Sequence, residues 1–189
     1  MSRLFSHLLA DRESSGDTCH AIGGSPDRSI AKLLEPEDIQ LSVLVAGRDE
    51  LMDEIGQFME WTHHLPAESV RRSLSHRERI HSTAVGNGVA FPHARIGELD
   101  HIQLAYLGLR FPIPFDAPDG LPVSDIFVLL VPKIAAQEHL QILAQASSMF
   151  SDPQFRRNLH ECASAPEVKD LVDDWQKRCQ TTSGSGTSA

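Results

Sequence analysis

The spacing of apolar residues changes several times along the chain, and each change marks an element. Ile39 to Val45 is a short run rich in β-branched residues and leucine, ended by Gly47, and it predicts a strand. From Arg48 the apolar positions Leu51, Ile55, Phe58 and Met59 fall at helical spacing. Pro66 suits the first position of a second helix over Ala67 to Arg77, with Val70 and Leu74 four apart. Residues 82–93 are glycine-rich and irregular, which predicts a loop with at most a short strand at Val89 to Phe91. Ile102 to Phe111 has a strand pattern. Ile126 to Val131 is apolar on both parities, as a central strand covered on both faces should be. Prolines 112, 114, 118 and 122, with Gly120, mark turns between them.

Beyond Pro132 three helices are expected, at about 136–150, at 153–162 opened by Asp152-Pro153, and at 166–178 opened by Pro166. The fold class is therefore α/β: a small mixed β-sheet with helices packed on both faces, in a single domain over residues 29–178. Residues 1–28 lack periodicity and read as a flexible lead-in, and 179–189, ending in a Ser/Thr/Gly stretch, as a disordered tail.

Composition narrows the function. With 189 residues and 41% hydrophobic content the chain can bury a sizeable core. Its 17 Lys and Arg against 26 Asp and Glu give a net charge of −9, which phosphate backbones would repel, and only 6% of residues are aromatic. No nucleic acid partner is expected. The apolar runs are too short to span a bilayer, and the opening residues make a poor secretory signal. Cys19, Cys162 and Cys179 are odd in number and widely spaced, suggesting neither a disulfide framework nor a zinc knuckle. A cytoplasmic protein fits. Metal is disfavoured although there are ten histidines: the adjacent His63 and His64 diverge on a helix, and no H-E-x-x-H spacing occurs. No cofactor is implied.

One histidine has a distinctive setting. His93 ends the stretch Gly86-Asn-Gly-Val-Ala-Phe-Pro-His93, where two glycines allow close backbone approach and Pro92 stiffens the segment that delivers the imidazole. A largely neutral ring held this way can attack phosphorus through one nitrogen while the other is fixed by a hydrogen bond. The local pattern fits equally a tight turn with a passenger histidine. Arg77, taken alone, fits a helix-end cation, and His139 fits a residue packed beside Ile142 and Leu143. Asn87 and Thr83 read as residues that shape the loop, and Arg95 as a solvated charge.

The ordered pattern Arg77-Glu78-x-x-x-Ser82-Thr83-x-x-Gly86-Asn87-Gly88-Val89-Ala90-x-Pro92-His93 resembles the signature of the enzyme IIA domain, fructose/mannitol and nitrogen-regulatory class, of the bacterial phosphotransferase system. The likeness continues through Pro114-Phe-Asp-Ala117, Ile126 to Pro132 and Glu138-His-Leu140, so that it covers about residues 30–175. The sequence is most similar to the nitrogen-regulatory type. The resemblance implies that His93 accepts a phosphoryl group from a histidine-containing phosphocarrier protein, with Arg77 and His139 beside it, and that regulatory target proteins read the phosphorylation state. Positioned donors at those two places would stabilise charge spread over the transferring group. A sugar-transport enzyme IIA that passes phosphate to a separate enzyme IIB, and a binding module that has lost phosphorylation, are the alternatives. The net charge suggests carboxylates facing a basic phosphocarrier surface. Phe91, in place of a small aliphatic residue, is a candidate for apolar partner packing.

Overall fold

The computed structural model describes residues 29–97, 99–133 and 138–183, so the expected lead-in over 1–28 and residues 184–189 of the expected tail lie outside the described residues. The described residues form two compact units, residues 37–139 and residues 29–36 with 140–183. The expected α/β class is borne out by a mixed sheet of six strands and by six α-helices among the described residues.

The first unit holds the sheet. Strand β1 (Ile39–Val43) pairs in parallel with β5 (Gln103–Ile113), which pairs antiparallel with β6 (Val123–Pro132). On its other edge β6 takes β3 (Val89–Ala90) and then β4 (His93–Ile96), both parallel, and β3 pairs antiparallel with β2 (Ala84–Gly86). The run from Ile126 to Val131 is buried at every position, which explains its lack of alternation. Helix α2 (Arg48–His63) and helix α3 (Ala67–Ile80) present Leu51, Ile55, Met59, Val70 and Leu74 to a core shared with Ala105, Leu107, Ile126, Val128 and Leu130. His64 ends α2 in a left-handed conformation (φ 57°), and its N–H bonds back to the carbonyls of Glu60 and Met59. Pro66 then caps α3 from outside. That helix runs to Ile80, three residues beyond the expected Arg77.

The short strand expected at Val89 to Phe91 is present as β3, but residues 82–93 hold more strand than expected. They contain β2 and β3 and end on the first residue of β4. Strands of two to four residues carry too little periodicity to be seen in the sequence. The partners of β3 and β4 on β6 lie more than thirty residues away and decide the conformation.

In the second unit Asp152 caps α5 (Pro153–Glu161), its carboxylate accepting the Gln154 N–H at 2.8 Å. Phe150 of α4 (Glu138–Ser151) meets Phe155 edge-to-face, with ring centroids 5.6 Å apart. The short α1 (Ile30–Leu33) is tied to α4 where the buried Ile30 N–H donates to Gln145 Oε1 at 3.2 Å. Helix α6 (Ala165–Ser183) continues past the expected boundary at 178. Cys162 is a free thiol, whereas Cys179 is disulfide-bonded, a pairing that the odd number and wide spacing of the cysteines did not suggest.

Close packing of α2 on α3 depends on Gly56, where a Cβ would lie 2.7 Å from the Ala67 carbonyl oxygen. Gly56→Ala gains about 1 kcal/mol of helix propensity. It loses more, because a backbone atom must move to make room, so the variant should be less stable by about 1–2 kcal/mol. A denaturant midpoint at or above the wild-type value would contradict this packing.

Candidate functional site

His93 is placed by the central strand. Ala90 faces Ile126 and His93 faces Leu129, so β3 and β4 follow one edge of β6 without a register shift across Phe91-Pro92. Pro92 has no N–H to offer, but its carbonyl accepts the Leu129 N–H at 3.0 Å. The ring is thus carried on a strand beside the core. The two glycines form a turn, and one of them also makes the close approach expected of it. Gly86, Asn87 and Gly88 all have positive φ (94°, 55° and 78°) and turn the chain between β2 and β3, where Asp119 accepts the Asn87 N–H at 2.7 Å. Gly86 lies so near the Asp119 carboxylate that a Cβ would come within 3.0 Å of it.

The two hydrogen bonds of the His93 ring fix its tautomer. Nδ1 lies 2.8 Å from the Phe91 carbonyl oxygen, which can only accept, so Nδ1 carries the proton. Arg77 Nε, which can only donate, lies 3.1 Å from Nε2, so Nε2 holds a lone pair. Burial drives the ring pKa down to about 4. The Phe91 carbonyl acts in the opposite direction, and the positive charges of Arg77 and His139 lower the pKa further. The imidazole is therefore neutral at pH 7, with Nε2 as its nucleophilic atom.

This carries a sign for stability. An unfolded imidazole titrates near 6.5, so between that value and about 4 the unfolded chain binds more protons, and the fold loses stability as pH falls through the interval, by up to about 3 kcal/mol. In a histidine-resolved NMR titration the His93 ring should stay neutral to about pH 4. A midpoint near 6.5 would contradict the buried, cation-flanked geometry.

Arg77 stands in the last turn of α3, and its Nη1 donates to the His81 carbonyl at 2.8 Å while Nε reaches His93. The turn after it is clamped by its neighbour. Glu78 accepts the Thr83 N–H at 3.1 Å and the Thr83 hydroxyl at 2.6 Å, and Ser82 Oγ donates to the Phe115 carbonyl at 2.6 Å. Thr83 is buried and shapes this turn, in line with its reading from the sequence. His139, the second residue of α4, lines the same cleft as His93 and Arg77, so the structure brings the three expected residues together.

That cleft, of about 760 Å³, holds more than the sequence disclosed. Arg72, His76, Arg79 and Ile80 of α3 and Arg95 of β4 line it with His93, Arg77 and His139. No Asp or Glu is among the described lining residues. Positions 72, 76 and 80 are four apart and therefore share a helix face, and 93 and 95 share a face of their strand. The expectation of carboxylates around the site is thus corrected for the described residues: those that line the cleft with His93 are basic, polar or apolar, and none is acidic. Phe91 is corrected too, being 2% exposed and packed edge-to-face on Phe127 at 6.1 Å, out of reach of a partner. The arrangement suits a dianionic group brought to Nε2. Among the described residues no three His, Cys, Asp or Glu side chains gather to hold a metal ion, and no helix is long and apolar enough to cross a membrane.

Comparison with known proteins identifies the family of the chain. The family model described as phosphoenolpyruvate-dependent sugar phosphotransferase system, EIIA 2, matches residues 32–175. The nitrogen regulatory protein of Pseudomonas aeruginosa is 33% identical over 150 residues, 78% of this chain and 96% of that protein. The crystal structure of nitrogen regulatory protein IIA-Ntr from Neisseria meningitidis is 38% identical and covers 76% of this chain and 98% of its own, with a TM-score of 0.72. The fold is shared with mannitol IIA of Escherichia coli, at 18% identity and a TM-score of 0.63 over 73% of this chain and 97% of that one. The chain belongs to the type-2 enzyme IIA family of the phosphoenolpyruvate-dependent phosphotransferase system.

Proposed function

We propose that the protein is a regulatory enzyme IIA of the nitrogen-regulatory kind. It takes a phosphoryl group from a histidine-containing phosphocarrier protein onto His93 and binds regulatory target proteins according to that state, in the cytoplasm with its donor. The observation that carries this reading is the neutral Nδ1–H tautomer of His93, with Nε2 facing Arg77 in a basic cleft. The names of its relatives in Pseudomonas aeruginosa and Neisseria meningitidis support the regulatory part.

The chemistry follows from the contacts. The Nε2 lone pair attacks phosphorus while the phosphorus–nitrogen bond to the donor's imidazole breaks, the bonding pair staying on the donor nitrogen. Arg77 gives up its bond to Nε2 and turns its N–H groups to the phosphoryl oxygens, still anchored through the His81 carbonyl. The proton stays on Nδ1, donated to the Phe91 carbonyl throughout, so the ring acquires its positive charge with an acceptor already in place. His139 adds a second donor to the oxygens.

The test is incubation with enzyme I, phosphocarrier and phosphoenolpyruvate, followed by addition of a sugar-specific enzyme IIB. The protein should gain one acid-labile, alkali-stable phosphoryl group and keep it when enzyme IIB is added. Rapid discharge to enzyme IIB would favour the transport reading instead, and no gain at all would leave only a binding module.

A further inference from the structure

We propose that the outer rim of the His93 cleft, Arg72, Arg79 and Arg95 around Ile80, is the docking surface for an acidic face of the phosphoryl-donor protein. The proposal rests on the reading of His93 as a phosphoryl acceptor and adds the charge of the partner that serves it. All three arginines are exposed, and they line the cleft together with Ile80, which is 69% exposed. An exposed apolar residue accompanied by arginines is the composition of a protein-binding patch.

Two other arginines of the unit are paired with carboxylates. Arg48 reaches Asp116 at 2.6 Å and Glu78 at 3.9 Å, and Arg71 holds both oxygens of Glu68 at 2.7 and 2.8 Å. Around the cleft the pattern stops. No described residue pairs with the head group of Arg79 or Arg95, and Arg72 has near it only the Glu68 carboxylate that Arg71 already occupies. Gathering uncompensated cations on a chain with a net charge of −9, when carboxylates are plentiful, does nothing for the fold.

The charges that bear on the His93 ring are those of Arg77 and His139. The inner pair is placed to meet the phosphoryl group and the outer three to meet the body that carries it. A donor with an acidic surface around its phosphohistidine would be drawn to this mouth and turned the right way, while a basic one would be repelled.

The experiment measures the second-order rate of transfer from the phosphocarrier, charged by enzyme I and phosphoenolpyruvate, as a function of salt. It uses the full chain and Arg72→Glu, Arg79→Glu and Arg95→Glu, with Arg110→Glu on the exposed part of β5 as a control outside the cleft. The wild-type rate should fall as salt rises, and each rim reversal should lower it on the order of 10-fold at low salt, with the gap narrowing by physiological ionic strength. The control should match wild type. Calorimetric binding of the uncharged phosphocarrier should weaken in the same three variants. Transfer that is indifferent to salt, or that quickens with it, or rim variants that bind and react as wild type, would overturn the docking proposal while leaving His93 as the acceptor. Wild-type protein that binds the phosphocarrier but gains no phosphoryl group would instead overturn the reading of His93.

Discussion

His93→Gln should fold and take up no phosphoryl group at all. Glutamine can still donate toward the Phe91 carbonyl, so the strand edge keeps its local hydrogen bonding, but an amide has no nucleophilic lone pair to replace Nε2. His93 is held as a neutral ring between a carbonyl and a guanidinium, the arrangement that presents a lone pair to phosphorus. Intact mass after exposure to the charged phosphocarrier checks the loss, and circular dichroism checks the fold. The same variant should also flatten the decline of stability between pH 6.5 and 4, because the group responsible for that decline is gone. A variant that still acquires phosphate would move the acceptor elsewhere.

Arg77→Ala should retain the acceptor and lose speed, on the order of 10²- to 10³-fold in the rate of transfer, the scale for removing one preorganised donor from a site of developing charge. Its guanidinium bridges the His81 carbonyl and His93 Nε2, so it is fixed before the phosphoryl group arrives and pays little reorganisation when it does. Arg77→Lys should recover only part of the rate, since an ammonium cannot hold the carbonyl and reach the oxygens with the same fork. His139→Ala should slow transfer on a similar scale, and both alanine variants should raise the His93 pKa from about 4 as a neighbouring positive charge is removed. Stopped-flow transfer rates with NMR titration of the ring read both effects. Wild-type rates in all three variants would separate these residues from the reaction.

The elements legible in the sequence are those whose own periodicity is long enough to declare them. The 16-residue α2 shows its buried face as Leu51, Ile55 and Met59, and the central strand shows itself by being apolar at every position. The strand that carries His93 could not be read this way. Pro92 and the Gly86-Asn87-Gly88 turn give residues 82–93 the composition of a loop, and only pairing with β6, thirty-six residues on from His93 to Leu129, makes β4 a strand. The three residues that the resemblance singled out, Arg77, His93 and His139, do line one cleft, whereas the basic rim was not legible. Arg72, His76 and Ile80 have helical spacing, but the same face includes Ser73 and Arg77 and reads as ordinary solvated surface until Arg95 is brought beside it by the sheet. Net charge pointed the wrong way, because it counts carboxylates without saying where they lie.

The most direct test of the account is the position of phosphorus on the imidazole. Protein labelled with nitrogen-15 in histidine, phosphorylated by enzyme I, phosphocarrier and phosphoenolpyruvate, can be examined for phosphorus–nitrogen coupling. The account predicts coupling to Nε2 of His93 alone, with Nδ1 still protonated toward the Phe91 carbonyl. Coupling to Nδ1, or to a ring nitrogen of any other histidine, would contradict it.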